Sequence, residues 1–136
     1  MTVVFMDTNP FVRYFTNDVP HLAQRVQALL EQAKQGKVKL ITNEVIIAEL
    51  VWVLESVYDL KKPDVYKLIS SVINTPNFNV INRNIINEAL AVYVNKNIDY
   101  VDAYTAVYMK DRNLKKLCSF NKKHMGKIDW IELIEP

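Results

Sequence analysis

The chain has 136 residues, 50% hydrophobic and 24% charged, with 17 Lys and Arg against 15 Asp and Glu for a net charge of +2; this is enough for one buried core and too well balanced for a disordered segment. One cysteine, two histidines and two glycines exclude a disulfide framework, a Cys- or His-rich zinc module and the glycine-dense P-loop, dinucleotide and G-x-S-x-G motifs. No apolar run reaches membrane-spanning length and the first residues lack a signal-peptide layout, so the expectation is a soluble, cytoplasmic single domain over 1–136, with no membrane partner.

Residues 2–6 form a β-branched and aromatic run without alternation, which predicts a strand covered on both faces, as in a parallel sheet. It ends at Asp7-Thr8-Asn9-Pro10, a cap-and-proline signal for a short helix over 11–15. Pro20 opens a helix to residue 35, with Gly36 where a C-terminal cap belongs. A strand over 37–41 leads into a strongly apolar helix over 42–58, with Glu44 in its first turn. Pro63 opens a helix to residue 74, Pro76 stops it, and 78–81 is a third strand. Helices over 84–95 and 100–113, a fourth strand over 116–120 and a short fifth over 130–134 complete the chain. Alternating strands and helices argue for a three-layer α/β/α sandwich around a mostly parallel sheet of four to five strands.

In such folds the site lies beyond the carboxyl ends of the strands, which directs attention to Asp7, to the helix after the second strand, and to Ser119–Asn121. Asp7 reads either as a helix cap or as a carboxylate held at the sheet edge. Glu49 lies in an apolar stretch, Ile46-Ile47-Ala48 before it and Leu50-Val51-Trp52 after it. A carboxylate there needs a solvent stripe, a cationic partner or a bound metal ion, because an unpaired buried charge costs several kcal/mol; the bound cation is the reading adopted. Asp99 and Asp102, three apart, bracket the start of the helix over 100–113 and share one side of its first turn. Asp99 also reads as its N-cap. Asn121 can ligate through its carbonyl oxygen or hold a water, and both it and Ser119 also suit a turn. Oxygen donors without His or Cys select hard cations, Mg²⁺ or Mn²⁺, and metal-bound carboxylates of this kind run phosphoryl transfer.

Four segments carry a resemblance to a known family: Phe5-Met6-Asp7-Thr8-Asn9, Ala48-Glu49-Leu50, Asp99-Tyr100-Val101-Asp102-Ala103 and Cys118-Ser119-Phe120-Asn121-Lys122-Lys123-His124. In order and spacing they resemble PIN-domain proteins, and among these the VapC-type ribonuclease toxins of prokaryotic toxin–antitoxin pairs. The resemblance implies a metal-dependent endoribonuclease that cuts RNA with a metal-activated water. Asp7, Glu49 and Asp102 would be its metal-binding acids, with Thr8 and Ser119 as polar neighbours of the metal waters or the scissile phosphate. It further implies a homodimer and an antitoxin protein. The sequence departs from the family at Asn121, where many members carry a fourth Asp. Asp99 could replace part of the lost charge, so a single-metal site is expected more than a two-metal one, with Asn121 positioning a water or the phosphate.

Residues 110–127 hold Lys110, Arg112, Lys115, Lys116, Lys122, Lys123 and Lys127 against Asp111 alone. Part of this run is a solvated face, but Lys122, Lys123 and His124 follow the fourth strand, beside the expected site, where an RNA backbone would pass. The dimer surface is expected on the helices over 42–58 and 63–74, the latter with Val65, Leu68, Ile69 and Val72. Two other aspartate-centred folds fit poorly. A haloacid-dehalogenase-like phosphatase wants a second Asp where Asn9 stands, and a phosphoacceptor receiver wants an Asp after the third strand, where Asn82 and Asn84 stand. The remaining alternatives are a non-cutting PIN-fold module that binds RNA or protein, and an RNA-processing nuclease outside any toxin–antitoxin pair.

Overall fold

All five strands predicted from the sequence occur in the computed structural model, which describes residues 1–136. The chain divides into two compact units, Met1–Arg83 and Asn84–Pro136. Every strand pairing in both is parallel, as the mixed α/β class requires of strands separated by helices. The strands form a three-stranded ladder in the first unit and a two-stranded ladder in the second. No helix is long and apolar enough to cross a membrane.

The first unit runs β1 (Thr2–Phe5), α1 (Thr8–Thr16), α2 (Pro20–Lys34), β2 (Val38–Thr42), α3 (Glu44–Ser56), α4 (Lys62–Ile73) and β3 (Phe78–Val80), with sheet order β1-β2-β3. Leu40 of the central strand pairs in register with Val4 on one side and Phe78 on the other. Its side chain is fully buried, together with Phe11, Ile47, Leu50, Leu54, Val65, Ile69 and Ile73. α1 packs against α2 and α3, and α3 against α4. The core of this unit is therefore the i, i+3, i+4 faces of four helices closing on a short parallel sheet.

Three local expectations change. Residue 42 ends β2 instead of starting α3: the Thr42 side chain is buried and its hydroxyl donates to the Met6 carbonyl at 3.0 Å, while Asn43 caps α3 by accepting from the Ile46 N–H at 3.1 Å. The apolar run of β1 is not covered on both faces, since Val3 and Phe5 are 56% and 51% exposed; composition alone does not distinguish a doubly covered strand from a partly exposed one. In α4, Val65, Ile69 and Val72 are buried in the core, so the apolar face assigned to a dimer surface is already used.

At the end of α1 the Arg13 guanidinium donates to Asp18 at 2.7 Å. The carboxylate of Asp18 also accepts from Thr16 and from the Tyr58 hydroxyl just beyond α3. The hydrogen bond to Asp18 raises the pKa of Arg13 above its ordinary value. Desolvation pushes the Asp18 carboxyl up, but the hydrogen bonds from Thr16, Tyr58 and Arg13 outweigh it and hold the group below the ordinary carboxylate range. A carboxyl depressed in the folded state adds stability above its unfolded pKa and loses it as pH falls through the folded value. Asp18→Asn should therefore be less stable than the parent near neutrality, with the gap closing from about pH 5 downward. Urea midpoints across that range check this, and a gap independent of pH would refute it.

The second unit holds α5 (Arg83–Asn95) from its second residue on, α6 (Tyr100–Asp111), β4 (Lys116–Cys118), α7 (Lys122–Met125) and β5 (Glu132–Ile134), with Leu117 of β4 paired to Leu133 of β5. Ala103 and Ala106 are fully buried on α6, the small residues at which another segment comes close. There the Trp130 indole N–H reaches the Ala106 carbonyl at 2.8 Å, fixing the chain that enters β5. Six non-glycine residues in the chain have a left-handed backbone, Asn17, Asp59, Asn77, Asn82, Asn97 and Asn113, against one glycine, Gly36.

Candidate active site

In the first unit, β1 delivers Asp7 to the corner where the sheet ends. The Met6 N–H donates to the Ile41 carbonyl at 2.7 Å, and the Met6 carbonyl accepts from Thr42, so the last turn of chain before Asp7 is tied to β2 from both sides. Asp7 has an extended backbone and is the N-cap of α1; its Oδ1 accepts from the Thr8 N–H at 2.8 Å. The cap reading of Asp7 is thus realised with one oxygen, and the exposed carboxylate keeps a second. Thr8 is buried, and its Oγ1 has no hydrogen-bond partner, an arrangement that native interiors rarely leave without a water or an ion. Glu49 is exposed on α3. It shares a stripe of i, i+4 and i+7 spacing with Val45 and Trp52, which are 67% and 63% exposed. The carboxylate therefore faces solvent and is open to a cation from solution.

In the second unit, four of the predicted residues come together around the start of α6. Asp102 is in its first turn, with its side chain 23% exposed. Its Oδ2 accepts from the Asn121 side-chain amide at 3.0 Å and lies 2.8 Å from His124 Nδ1. Asn121 is itself held from both ends. Its backbone N–H donates to Ser119 Oγ at 2.9 Å, and its side-chain Oδ1 accepts from the His124 N–H at 3.2 Å, capping α7. The Asn121 amide therefore orients Asp102 and α7. Asp99 occupies the N-cap position of α6 without a side-chain capping bond, and its Oδ2 lies 3.6 Å from His124 Nδ1.

From the sequence, His124 is set beside the site with Lys122 and Lys123, on the path of an RNA backbone, but is not paired with the carboxylates of α6. Two histidines far apart in the chain exclude a His-rich site, but not one imidazole joining two carboxylates. The usable signal was the repeated i, i+3 spacing, Asp99–Asp102 on one helix start and Asn121–His124 on the other. The basic run of residues 110–127 is also smaller in effect than its count. Lys110 pairs with Glu88 at 2.7 Å and lies over Trp130, Lys122 pairs with Glu135 at 2.8 Å, and Arg112 stacks on Tyr108. Lys127 donates to the carbonyls of Lys96 and Asn97. Lys115, Lys116 and Lys123 remain exposed.

A family model described as the PIN domain matches residues 4–131. The chain belongs to the PIN-domain family. It is similar to a protein named VapC ribonuclease from Aquifex aeolicus (strain VF5), at 25% identity over 118 residues, 87% of each chain. Solved structures similar to this PIN domain include VapC20 of Mycobacterium tuberculosis, described as a Sarcin-Ricin loop cleaving toxin, at 14% identity over 98% of this chain and 99% of that one, with a TM-score of 0.41. Another is VapBC2 from Rickettsia felis bound to a DNA fragment from its promoter, at 14% identity over 99% of both chains and the same TM-score of 0.41.

Proposed function

We propose that this PIN domain is a divalent-cation-dependent endoribonuclease and the toxin of a toxin–antitoxin pair. The observation that carries the reading is the Asp102 carboxylate, half-buried and aimed by the Asn121 amide, in a chain of a family whose relative from Aquifex aeolicus is named a ribonuclease. Asp7, Glu49 and Asp102 are the proposed metal ligands, with Asp99 as a further carboxylate. The donor chemistry fits: these are hard oxygen ligands of the kind Mg²⁺ and Mn²⁺ take, and the buried Thr8 hydroxyl beside Asp7 lacks a partner that a metal's hydration water would supply.

When bound, such a cation lowers the pKa of a water and offsets charge building on a phosphate. The chain's own groups do the rest. Asp7 and Asp102 supply fixed negative charge, each oriented by a hydrogen bond. Asn121 holds Asp102 in place, and Ser119 holds Asn121. Thr8, Ser119, Lys122 and Lys123 are proposed to meet the RNA; both lysines are exposed, and Lys122 is paired with Glu135 at 2.8 Å. The reaction is addition of water across an RNA phosphodiester, with water attacking phosphorus in line with the leaving oxygen.

The test is incubation of a labelled single-stranded RNA pool with Mg²⁺, Mn²⁺ or EDTA. Cleavage with a metal and none with EDTA is the expected result. No cleavage under either metal would refute the reading and leave a non-cutting RNA- or protein-binding module.

The proposed partners are RNA, an antitoxin protein and a second copy of the chain, in the cytoplasm.

A further inference from the structure

We propose that Phe120 is a substrate-binding residue, a ring on which an RNA base stacks beside the phosphate that is cut. The proposal rests on the nuclease reading for its substrate and adds the group that holds the base.

Phe120 is 73% exposed, more than any other phenylalanine in the chain. A single apolar side chain at a surface is ordinary; the setting of this one is not. It stands between Ser119 and Asn121, and the Asn121 amide donates to Asp102 at 3.0 Å. The backbone around it is fixed. The Ser119 N–H donates to the Ile134 carbonyl at 3.0 Å, the Asn121 N–H to Ser119 Oγ at 2.9 Å, and the Lys122 N–H to the Phe120 carbonyl at 3.0 Å. The turn that aims Asp102 therefore also presents the ring, and two side-chain torsions are the freedom it keeps. Phe120 takes no part in the ring stacks made by Phe11, Phe15 and Phe78 or by the tyrosines of α6.

A phenyl ring offers no hydrogen-bonding group, so its ligand must present a flat or apolar face. The residues that follow call for an anion, since Lys122 and Lys123 are both exposed. A ligand that gives phosphates to ammonium groups and a flat face to a ring is a nucleotide. An unpaired RNA strand offers these in series, and base–aromatic stacking tolerates any sequence because every base has a π face. The two contacts differ in kind: the lysine attraction falls as salt rises, whereas the stack adds affinity that carries no phosphate charge. Val101 supplies the contrast. It is 60% exposed directly before Asp102, an apolar side chain beside the same carboxylate but without a face on which a base can stack.

The test uses the full chain and two probes with the same number of phosphates, a labelled oligoadenylate and an abasic ribose-phosphate strand. Affinities are measured with Ca²⁺, a dication that oxygen ligands take, and the probes are checked to be intact afterwards. The parent should prefer oligoadenylate. Phe120→Leu should bind it about 5- to 100-fold more weakly, with its affinity for the abasic strand and its salt slope unchanged. Phe120→Tyr, which keeps a ring, should bind like the parent, and so should Val101→Ala. The proposal is overturned if the parent shows no preference for oligoadenylate. It is equally overturned if Phe120→Leu binds oligoadenylate like the parent, the result expected of a ring that docks on a protein instead. Should Phe120→Leu fail to fold, proton NMR of the unaltered chain decides: the Phe120 ring protons must move upfield with oligoadenylate and stay in place with the abasic strand. A chain that stacks bases on Phe120 and cuts no RNA with Mg²⁺ or Mn²⁺ refutes the nuclease reading only. One that cuts RNA while Phe120→Leu binds and cuts like the parent refutes this one only.

Discussion

Asp7→Asn is expected to lower metal-dependent RNA cleavage by at least about 10²-fold while leaving the chain folded. The two halves of that expectation come from different oxygens of one side chain. Asp7 Oδ1 accepts from the Thr8 N–H and caps α1, and the carbonyl oxygen of an asparagine does this as well, since Asn and Asp rank equally as helix caps. What asparagine lacks is the charge. If Asp7 is a metal ligand, losing that charge weakens the ion and the charge stabilisation it gives to a developing phosphorane-like oxygen. If Asp7 is only a cap, the variant should fold and cut like the parent. Cleavage rates of the two proteins on the labelled RNA pool, beside their far-ultraviolet circular dichroism, separate the cases. A folded, fully active Asp7→Asn would remove Asp7 from the site.

The largest expected effect on stability is at Phe11→Ala, about 3–5 kcal/mol. Phe11 is fully buried, and its ring lies parallel to that of Phe78 on β3, with centroids 5.9 Å apart and planes 6° from each other; the Phe15 ring centroid is 6.3 Å away. The truncation removes most of an aromatic side chain from a site walled by secondary structure, where collapse into the cavity is limited. Domains of this size are stable by about 5–15 kcal/mol, so the loss is a large fraction of the total. Because α1 begins at Thr8 and is capped by Asp7, loosening α1 should also lower cleavage, in proportion to the fraction unfolded. Urea unfolding followed by tryptophan fluorescence measures the first effect. A loss below about 1 kcal/mol would mean that Phe11 contributes little beyond surface coverage.

Much of this arrangement was legible because it is local. Pro20 and Pro63 mark helix starts, Gly36 follows the end of α2 with a left-handed backbone, and an aspartate directly after an apolar run marks the end of β1. α7 was not legible, since four residues carry no periodicity and Lys122-Lys123-His124 reads as a charged turn. The exposure of Glu49 was hidden by its neighbours: a helix with apolar residues on every face gives no sign of which one meets water. The pairing of His124 was not legible because its partner Asp102 is 22 residues away in sequence. Asn121 was read as a ligand or water holder because sequence shows what an amide can do, not which of its bonds are already made.

The left-handed residues that follow helices and shape turns bear on how the chain folds. Glycine supplies such conformations at no steric cost but leaves the unfolded chain with the most freedom to lose. Here Asn or Asp occupies six of the seven positive-φ positions. Each accepts a modest steric penalty in the native state in exchange for a stiffer denatured ensemble. Substituting glycine at Asn17 or Asn113 would relax the folded backbone and widen the unfolded one, two changes of opposite sign. The direction changes of this protein are therefore encoded partly in the state it leaves when it folds, where no native contact records them.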